Sequence, residues 1–328
     1  MGAEVTRLSR GLVVVATAIS SWTAPASAQD RYALIVAGAT GGQEYAGPYS
    51  QWTESLSKVL VERMKLDPRH VTVLSETDRA DEVASAANVR RVLGAIRQAM
   101  SREDLLFVVL MGHGTFDGVD AKFNLVGPDL ESAEWSALLK PMPGRITVVN
   151  TTSGSFPFLE RLAGPRRIVI TATDSVAQRF DTVFPQYFVA AFSDDAADID
   201  KNGRISIWEA FAAASFGVGR HYQQRGQLTT ERALLDDNGD GIGSQASSPG
   251  GDGSMASRTY LDEPRPGAAP TDEVLLKLLQ KKATLEADVE DLKIRKTFLP
   301  ADDYVKEFER IMIDLARVSH DIRERNKS

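Results

Sequence analysis

The sequence contains no cysteine among its 328 residues. This absence excludes disulfide bonds, metal sites built from thiolates and any mechanism that uses a cysteine nucleophile. It does not exclude export from the cytoplasm, because a chain of this length can bury a core large enough to fold without disulfides. The composition is otherwise that of a globular protein, with 43% hydrophobic and 25% charged residues.

Positive charge is scarce relative to negative charge. There are 38 Lys and Arg residues and 45 Asp and Glu residues, so the formal net charge is −7. A polyanion is repelled by such a chain on average, which argues against nucleic acid or an anionic membrane surface as a partner. Beyond residue 28 no apolar run is long enough to cross a bilayer, so we predict no membrane span after removal of a signal peptide.

The first 28 residues have the pattern of a secretory signal peptide. Arg7 and Arg10 precede a short apolar run at residues 11–19, and residues 26–28 (Ala-Ser-Ala) match the small-residue cleavage pattern. We therefore predict a signal peptide over residues 1–28 and a periplasmic or secreted mature protein. The alternative is an uncleaved anchor, which the shortness of the apolar run disfavours.

From residue 31 onward, short apolar runs alternate with amphipathic stretches of helical periodicity. We predict strands at 32–37, 71–74, 105–111, 146–149 and 168–172, and helices at 50–65, 88–100 and 131–140. This alternation predicts an α/β fold with a mostly parallel sheet covered by helices on both faces, in one domain over residues 29–243. In such sheets, ligands bind at the carboxyl ends of the strands.

Residues 198–209, DIDKNGRISIWE, carry the most specific motif of the chain. Oxygen-bearing side chains stand at alternate positions, glycine stands at the sixth position and glutamate closes the span, which is the pattern of a calcium loop. We predict Ca²⁺ as the cofactor, with ligands at Asp198, Asp200, Asn202, Arg204 (through its carbonyl), Ser206 (directly or through water) and Glu209. Predicted helices on both sides of the loop make an EF-hand-like unit. The alternative is a metal-free turn followed by a helix-capping box between Ser206 and Glu209.

A second acidic loop follows the first. Asp236, Asn238, Asp240 and Gly241 fit the first six positions of a calcium loop, but the twelfth position is Ser247 instead of glutamate. Because the ligand that contributes two oxygens is missing, a second ion and a solvated turn both remain open interpretations.

Two neighbouring predicted strands end in residue types suited to catalysis. The strand at 105–111 runs into His113, which stands between two glycines, and small hydroxyl residues at 151–155 follow the strand at 146–149. Neighbouring strand ends can bring a histidine base to a nucleophile, and small residues leave room for backbone N–H groups around an oxyanion. A histidine at such a position can equally be a hydrogen-bonded loop residue.

Three stretches around these strand ends form a set: LIVAGATGGQEYAGPYSQW, LLFVVLMGHG and ITVVNTTSGSF. They resemble the caspase-like cysteine peptidases, and among them the legumain-type branch, in which one apolar strand ends in His-Gly and the next ends in a cysteine followed by X-Ser-Gly. The resemblance extends over residues 31–220. It implies a caspase-like three-layer α/β sandwich, with His113 at the position of the catalytic histidine and Gly114 after it.

The sequence departs from this family at the nucleophile. Alignment on Ser153-Gly154 places Thr151 at the position of the cysteine. A threonine hydroxyl is much less acidic than a thiol, and threonine nucleophiles generally rely on a free amino terminus that an internal residue lacks. Three alternatives follow: a non-catalytic protein with the peptidase fold, a hydrolase that pairs His113 with a hydroxyl, and no relation to the family. The candidate hydroxyls are those of Thr151, Thr152, Ser153 and Ser155.

The remainder of the chain differs in composition. Residues 244–270 are rich in Ser, Gly and Pro and predict a linker. In residues 271–328, two heptad-like stretches separated by Pro300 predict an antiparallel helical hairpin, whose seam closes on itself or is completed by a protein partner. We therefore expect an exported calcium-binding protein with a peptidase-like fold and no peptidase activity, which acts by binding or assembly.

Overall fold

The structure is a computed structural model that describes residues 29–178, 180–247, 251–263 and 299–327, and ten further positions between 274 and 292. The predicted signal peptide, residues 1–28, lies outside the described residues. Parts of the predicted linker and of the predicted hairpin lie outside them as well.

Nine strands and seven α-helices have both ends within the described residues, and further helical positions lie between 274 and 292. The strands are β1 (Arg31–Ala37), β2 (Val71–Leu74), β3 (Leu105–Met111), β4 (Gly114–Phe116), β5 (Ala121–Phe123), β6 (Leu130–Glu131), β7 (Arg145–Asn150), β8 (Arg167–Thr171) and β9 (Leu234–Asp236). The helices are α1 (Gln43–Glu62), α2 (Ala86–Ala99), α3 (Ser132–Leu139), α4 (Phe156–Leu162), α5 (Phe184–Ala191), α6 (Ile207–Gln224) and α7 (Ala301–Lys327).

Six strands form the central sheet, in the order β2-β1-β3-β7-β8-β9. The first five are parallel, and β9 pairs antiparallel with β8 at the edge. Parallel neighbours require crossover connections, and α1, α2, α3 and α4 lie in the connections between these strands. Strands β4, β5 and β6 form a separate antiparallel sheet between β3 and α3. The predicted α/β class with a mostly parallel sheet is confirmed.

Helices cover both faces of the central sheet. All seven residues of β3 are buried, and alternate side chains enter opposite cores because successive Cβ atoms point to opposite faces. Phe107 and Val109 pack with side chains of α1, α5 and α6, whereas Leu106 and Val108 pack with side chains of α2, α3 and α4. A strand that is apolar at every position therefore suits the centre of a three-layer fold.

The helix after the first strand begins earlier than predicted. α1 starts at Gln43 and continues through Pro48, whereas the periodicity predicts a start at residue 50. Proline lacks the N–H of a helical hydrogen bond, which is why a sequence-based prediction places the start beyond it. The additional residues carry Tyr45 and Tyr49 to the carboxyl edge of the sheet, where both contact His113.

The segment predicted as a linker packs against the sheet domain in its described part. Ser244 forms a bridge with Leu235 in β9, and Ala256 and Leu261 are buried in the core beside α6. The Asp237 carboxylate accepts hydrogen bonds from backbone N–H groups of this segment, including that of Ala256 at 2.7 Å. Such contacts use backbone donors, which composition alone does not reveal.

The last helices form a cluster of their own. We call α7 together with the described positions of 274–292, all of which are helical, the C-terminal helical unit. The buried side chains of its core are Leu285, Val289, Leu292, Ile311, Val318 and Ile322. No residue of the central sheet belongs to this core. Across the part of the chain that the structure describes, no helix combines the length and the apolar character needed to cross a bilayer.

Candidate functional site

The two loops with catalytic residue types lie side by side at the carboxyl edge of the sheet. β3 and β7 are adjacent and parallel, with Leu110 opposite Asn150 at their ends. The loops that follow these strands touch, since a Cβ added to Gly154 would lie 2.8 Å from the carbonyl carbon of Gly114. An approach this close requires glycine at the contact. Adjacent strands thus bring the two loops into direct contact.

His113 is held by partners from distant parts of the chain. Nε2 lies 3.0 Å from the carbonyl oxygen of Thr40 and 3.2 Å from the hydroxyl oxygen of Tyr49. Nδ1 lies 3.3 Å from Oδ1 of Asp181, and the other oxygen of that carboxylate, Oδ2, accepts a 2.6 Å hydrogen bond from the Tyr45 hydroxyl. The Thr40 carbonyl can only accept a hydrogen bond, so Nε2 is the donor in that contact when it carries a proton. Both nitrogens therefore contact residues other than the predicted nucleophile.

Sequence reasoning missed four of these neighbours. They are Thr40, Tyr45, Tyr49 and Asp181. The two tyrosines are four residues apart and share a face of α1, so their spacing would have identified them had the helix start been predicted correctly. Asp181 lies in irregular backbone between β8 and α5, where no sequence pattern marks it. Burial raises the pKa of Tyr49, so its hydroxyl stays protonated at neutral pH.

The Thr151 hydroxyl bonds to the backbone. Its Oγ1 donates to the carbonyl oxygen of Leu110 over 2.8 Å, and the residue is 1% exposed. The Thr151 carbonyl accepts a hydrogen bond from the Thr182 hydroxyl, one residue after Asp181. His113 and Thr151 are therefore linked through residues 181 and 182, and among the described residues no hydrogen bond joins their side chains.

The other candidate hydroxyls also make no hydrogen bond with His113 within the described residues. Ser155 Oγ is fully buried and lies 3.0 Å from the Thr173 hydroxyl. The Thr152 hydroxyl is buried and has no hydrogen-bond partner in the described ranges. Ser153 is half-buried, and its carbonyl accepts from the Thr173 hydroxyl. Among the described residues, the imidazole at this edge therefore makes no hydrogen bond with any of the four candidate nucleophile hydroxyls, which a general base would need.

The acidic loop brings three carboxylates together. Single oxygens of Asp198, Asp200 and Glu209 all lie within 4.8 Å of one another, a spacing that suits ligands of one cation. No other group of three metal-ligating side chains is this close in the part of the chain that is described. Asp200 and Glu209 are each 4% exposed. Gly203, at the sixth position, has a φ of 80°, which a sharp turn requires and glycine readily adopts.

Local hydrogen bonds fold the loop around these carboxylates. The Asp198 carboxylate accepts from the N–H of Gly203 over 2.8 Å. The Glu209 carboxylate accepts from the N–H of Ile199 at the start of the loop, and from the N–H and the hydroxyl of Ser206, each over 2.9 Å. The capping box that Ser206 and Glu209 predict is therefore present, and the same glutamate closes the loop. The cap and the loop are parts of one structure.

The remaining predicted ligands also lie in this loop. Asn202 donates from its side-chain amide to the Asp200 carboxylate and accepts from the Arg204 N–H, each over 2.8 Å. The Arg204 guanidinium pairs with Asp262 and lies 3.9 Å from the centre of the Tyr260 ring. With its side chain engaged there, Arg204 has its backbone carbonyl to offer to a cation.

Burial perturbs the acids of the loop. It raises the pKa of Asp200 to about 7, and the nearby Glu209 carboxylate adds to the rise. Burial also raises the pKa of Glu209, against the opposing effect of its hydrogen bonds from Ser206. A divalent cation among the three carboxylates would offset this cost and hold them ionised. The three carboxylates could hold a cation, and nothing in their electrostatics selects Ca²⁺.

The second acidic loop forms similar turns without gathering its carboxylates. Asp236, the last residue of β9, accepts from the N–H groups of Gly239 and Gly241 over 2.8 Å each. The Asn238 side chain accepts from the N–H of Asp240, also over 2.8 Å. These residues do not form the close group of three carboxylates that the first loop contains.

The first acidic loop lies at the opposite edge of the sheet from His113. Arg63, just beyond the far end of α1, pairs with Asp195 shortly before the loop at 2.6 Å. Arg31, the first residue of β1, donates to the carbonyl oxygen of Leu261 over 2.6 Å, next to residues that contact the loop. Both arginines belong to the edge where the parallel strands begin, so the loop is separate from the carboxyl edge.

Comparison with known proteins identifies no family. No protein-family model matches the chain, and no curated protein matches it. Among solved structures, the chain is similar to the crystal structure of protein GSU0716 from Geobacter sulfurreducens, at 15% sequence identity and a TM-score of 0.42. The similarity covers 64% of this chain and 94% of that chain.

Proposed function

We propose that this protein is an exported, calcium-binding relative of the caspase-like peptidases that has no peptidase activity and acts by binding or assembly. The observation that carries the proposal is the burial of Thr151 and the hydrogen bond that its hydroxyl makes. This residue stands where the family has its cysteine, is buried, and donates its hydroxyl proton to a backbone carbonyl. A site that keeps the histidine and has no activated nucleophile can recognise a ligand but cannot form a covalent intermediate.

The arrangement of the motif strands supports the relation to the legumain-type branch. His113 follows β3, Thr151 follows β7, and these strands are neighbours. The third resembling stretch forms β1 and the start of α1, and its Thr40 and Tyr49 contact the histidine. All three stretches thus converge on one edge, as a shared caspase-like sandwich would require.

The first acidic loop supports calcium as the ion. Its candidate ligands are all oxygens, and a hard cation with six to eight oxygen ligands matches a loop of this composition. α6 begins at Ile207 within the loop, whereas α5 ends at Ala191 and a short 3₁₀ turn at Asp195–Ala197 leads into it. We propose an EF-hand-like unit in which a 3₁₀ turn precedes the loop in place of a full helix. Its distance from the carboxyl edge favours a structural ion.

The C-terminal helical unit supports an interaction role. Its two stretches meet in one apolar core, which favours a hairpin that closes on itself. Its other face keeps apolar residues exposed: Val305 is 58% exposed, and Met312 and Ile313 are 40% and 44% exposed. Exposed apolar side chains at this spacing on one helix are typical of a surface that receives another helix.

Calorimetric titration and thermal unfolding of the mature chain test the calcium site. We expect added Ca²⁺ to raise the melting temperature and a chelator to reverse the rise, because a ligand that binds only the folded state stabilises it. The double variant Asp198→Ala with Glu209→Ala should lose the response. Asp195→Ala is the matched control, since that carboxylate is exposed and precedes the loop. A melting curve that ignores both Ca²⁺ and chelator would contradict the site.

The contact between His113 and Asp181 favours a second candidate, a hydrolase with a hydroxyl nucleophile. A carboxylate that orients a histidine base is part of many hydrolase sites. Labelling with a serine-reactive fluorophosphonate separates the two candidates. We expect no labelling of the wild-type protein, whereas labelling that disappears in His113→Ala would establish the hydrolase.

A further inference from the structure

The C-terminal helical unit touches the acidic loop through a lysine. Lys282 Nζ donates to the carbonyl oxygen of Ile199 over 2.8 Å. Ile199 stands between Asp198 and Asp200, two of the three grouped carboxylates. The two residues are 83 positions apart in the chain, so this contact is not part of the loop motif itself.

The unit can leave the loop without opening its own core. Its buried apolar side chains pack on one another, and neither core of the central sheet includes any of its described residues. A helical pair with a self-contained core can undock at a lower free energy than global unfolding requires. The polar contact at Lys282 can therefore influence whether the unit is docked.

We infer that a divalent cation in the acidic loop and the Lys282 ammonium compete, so that calcium weakens the docking of the C-terminal helical unit. The inference rests on the calcium site proposed above and adds its regulatory consequence. Outside the cytoplasm, the calcium concentration would then set how available the unit is to a protein partner.

The sign of this coupling follows from Coulomb's law. A divalent cation held among the three carboxylates would bring two positive charges to the loop whose Ile199 carbonyl binds the Lys282 ammonium, and like charges repel. The attraction between the loop and the ammonium therefore falls when the ion binds. Linkage makes the effect reciprocal: removing the ammonium strengthens ion binding by the factor by which the ion weakens the contact.

The two cationic side chains of the loop itself, Lys201 and Arg204, do not report on docking. Lys201 donates to the carbonyl oxygen of Asp195, and Arg204 pairs with Asp262. These partners all belong to the sheet domain, so their charges stay with the loop whether the C-terminal helical unit is docked or undocked. Lys282 is carried by the unit, which makes it the appropriate position for a test.

The test compares Lys282→Met with Lys281→Met in the full mature chain. Lys281 is adjacent, exposed and of equal charge, so it controls for the change in net charge. Titration calorimetry with CaCl₂ should show binding about two- to fivefold tighter in Lys282→Met, the range for a partly exposed charge contact, and no change in Lys281→Met. Hydrogen exchange of α7 should rise when calcium is added to the wild-type protein. In chelator, Lys282→Met should already show the higher exchange.

The outcomes separate the two proposals. Absence of calcium binding to the wild-type protein would overturn the calcium site and the coupling together. Normal binding with equal affinities in both variants, and with exchange of α7 that calcium leaves unchanged, would overturn the coupling alone. Tighter binding in Lys282→Met together with calcium-dependent exchange would establish it.

Discussion

A short sequence motif marks both the carboxyl edge of the sheet and the first acidic loop. The two regions differ in how far apart in the chain their contacting residues lie. The contacts of His113 with Tyr49 and Thr40 span 64 and 73 positions of the chain. In the acidic loop, the bonds that hold Asp198 and Glu209 span 5 and 10 positions. The first site depends on the whole fold, whereas the second is organised by its own backbone.

This difference determines how each region responds to a change of residue. At the carboxyl edge, sheet pairing and glycine contacts maintain the geometry, so a side chain there can change while the surrounding contacts persist. In the acidic loop the predicted ligands are also the groups that shape the backbone, so a change of one of them alters the local geometry as well. A reactive side chain at the edge can therefore be replaced with less change in local structure than a carboxylate of the loop.

The largest effect is expected where the two edge loops touch. Gly154→Ala would force a Cβ to within 2.8 Å of the Gly114 backbone, which cannot rotate away. We expect a loss of about 3 kcal/mol in the free energy of unfolding, measured in urea. Gly94→Ala in α2 has open space at its Cβ and should gain up to about 1 kcal/mol from helix propensity. Equal stabilities of the two variants would contradict the contact between the loops.

Calcium binding should change the free energy of unfolding by almost as much as Gly154→Ala does. The gain should not depend on the residues at the carboxyl edge of the sheet. At about 100 times the dissociation constant, the ion is expected to add about 2.7 kcal/mol to the free energy of unfolding. His113→Ala should retain this increment, because the two sites lie at opposite edges and share no contact among the described residues. Urea unfolding with and without calcium measures it, and loss of the increment in His113→Ala would show that the sites are coupled.

The ion-free protein should also lose stability as the pH rises. Because the pKa of Asp200 is raised to about 7, the folded protein keeps a proton that the unfolded chain has already released. Its contribution to stability is therefore present at low pH and declines from about pH 4 to about pH 7, by at most about 1.4 kcal/mol per pH unit for one group. Urea unfolding in chelator should show a shallower decline for Asp200→Asn. If the free energy of unfolding depended on pH equally in the wild-type protein and in Asp200→Asn, a raised pKa of Asp200 in the folded state would be ruled out.

The smallest effect concerns the Thr151 hydroxyl. Thr151→Val removes its hydrogen bond to Leu110 and should cost about 1 kcal/mol, since the Leu110 carbonyl keeps the Thr151 N–H as a donor. Thr147→Val is the matched control: that hydroxyl is buried with no partner in the described residues, so its removal should be neutral or stabilising. If Thr147→Val lost more free energy of unfolding in urea than Thr151→Val, the result would contradict the hydrogen bond assigned to Thr151.

The parts of the fold that the sequence predicted are those with long and uniform patterns. β1, β3 and β8 are strands of five to seven residues whose central positions are all apolar, and such runs indicate buried parallel strands. The strands that were missed, β4, β5, β6 and β9, have two or three residues each, too few to show alternation. At the edge site, His113 and Thr151 follow predicted strands, whereas Asp181 lies in irregular backbone and reaches the histidine only through tertiary structure.

The sequence by itself determined the layered α/β class, the absence of any thiol chemistry and the shape of the first acidic loop. Each of these depends on residue types or on neighbours within about one turn of structure, whose interactions are local. Tertiary structure alone decided that Thr151 bonds to the backbone of β3, that Asp181 meets His113, and that Lys282 reaches the acidic loop. Such contacts join residues far apart in the chain, and their geometry follows from strand order and helix packing, which no short pattern encodes.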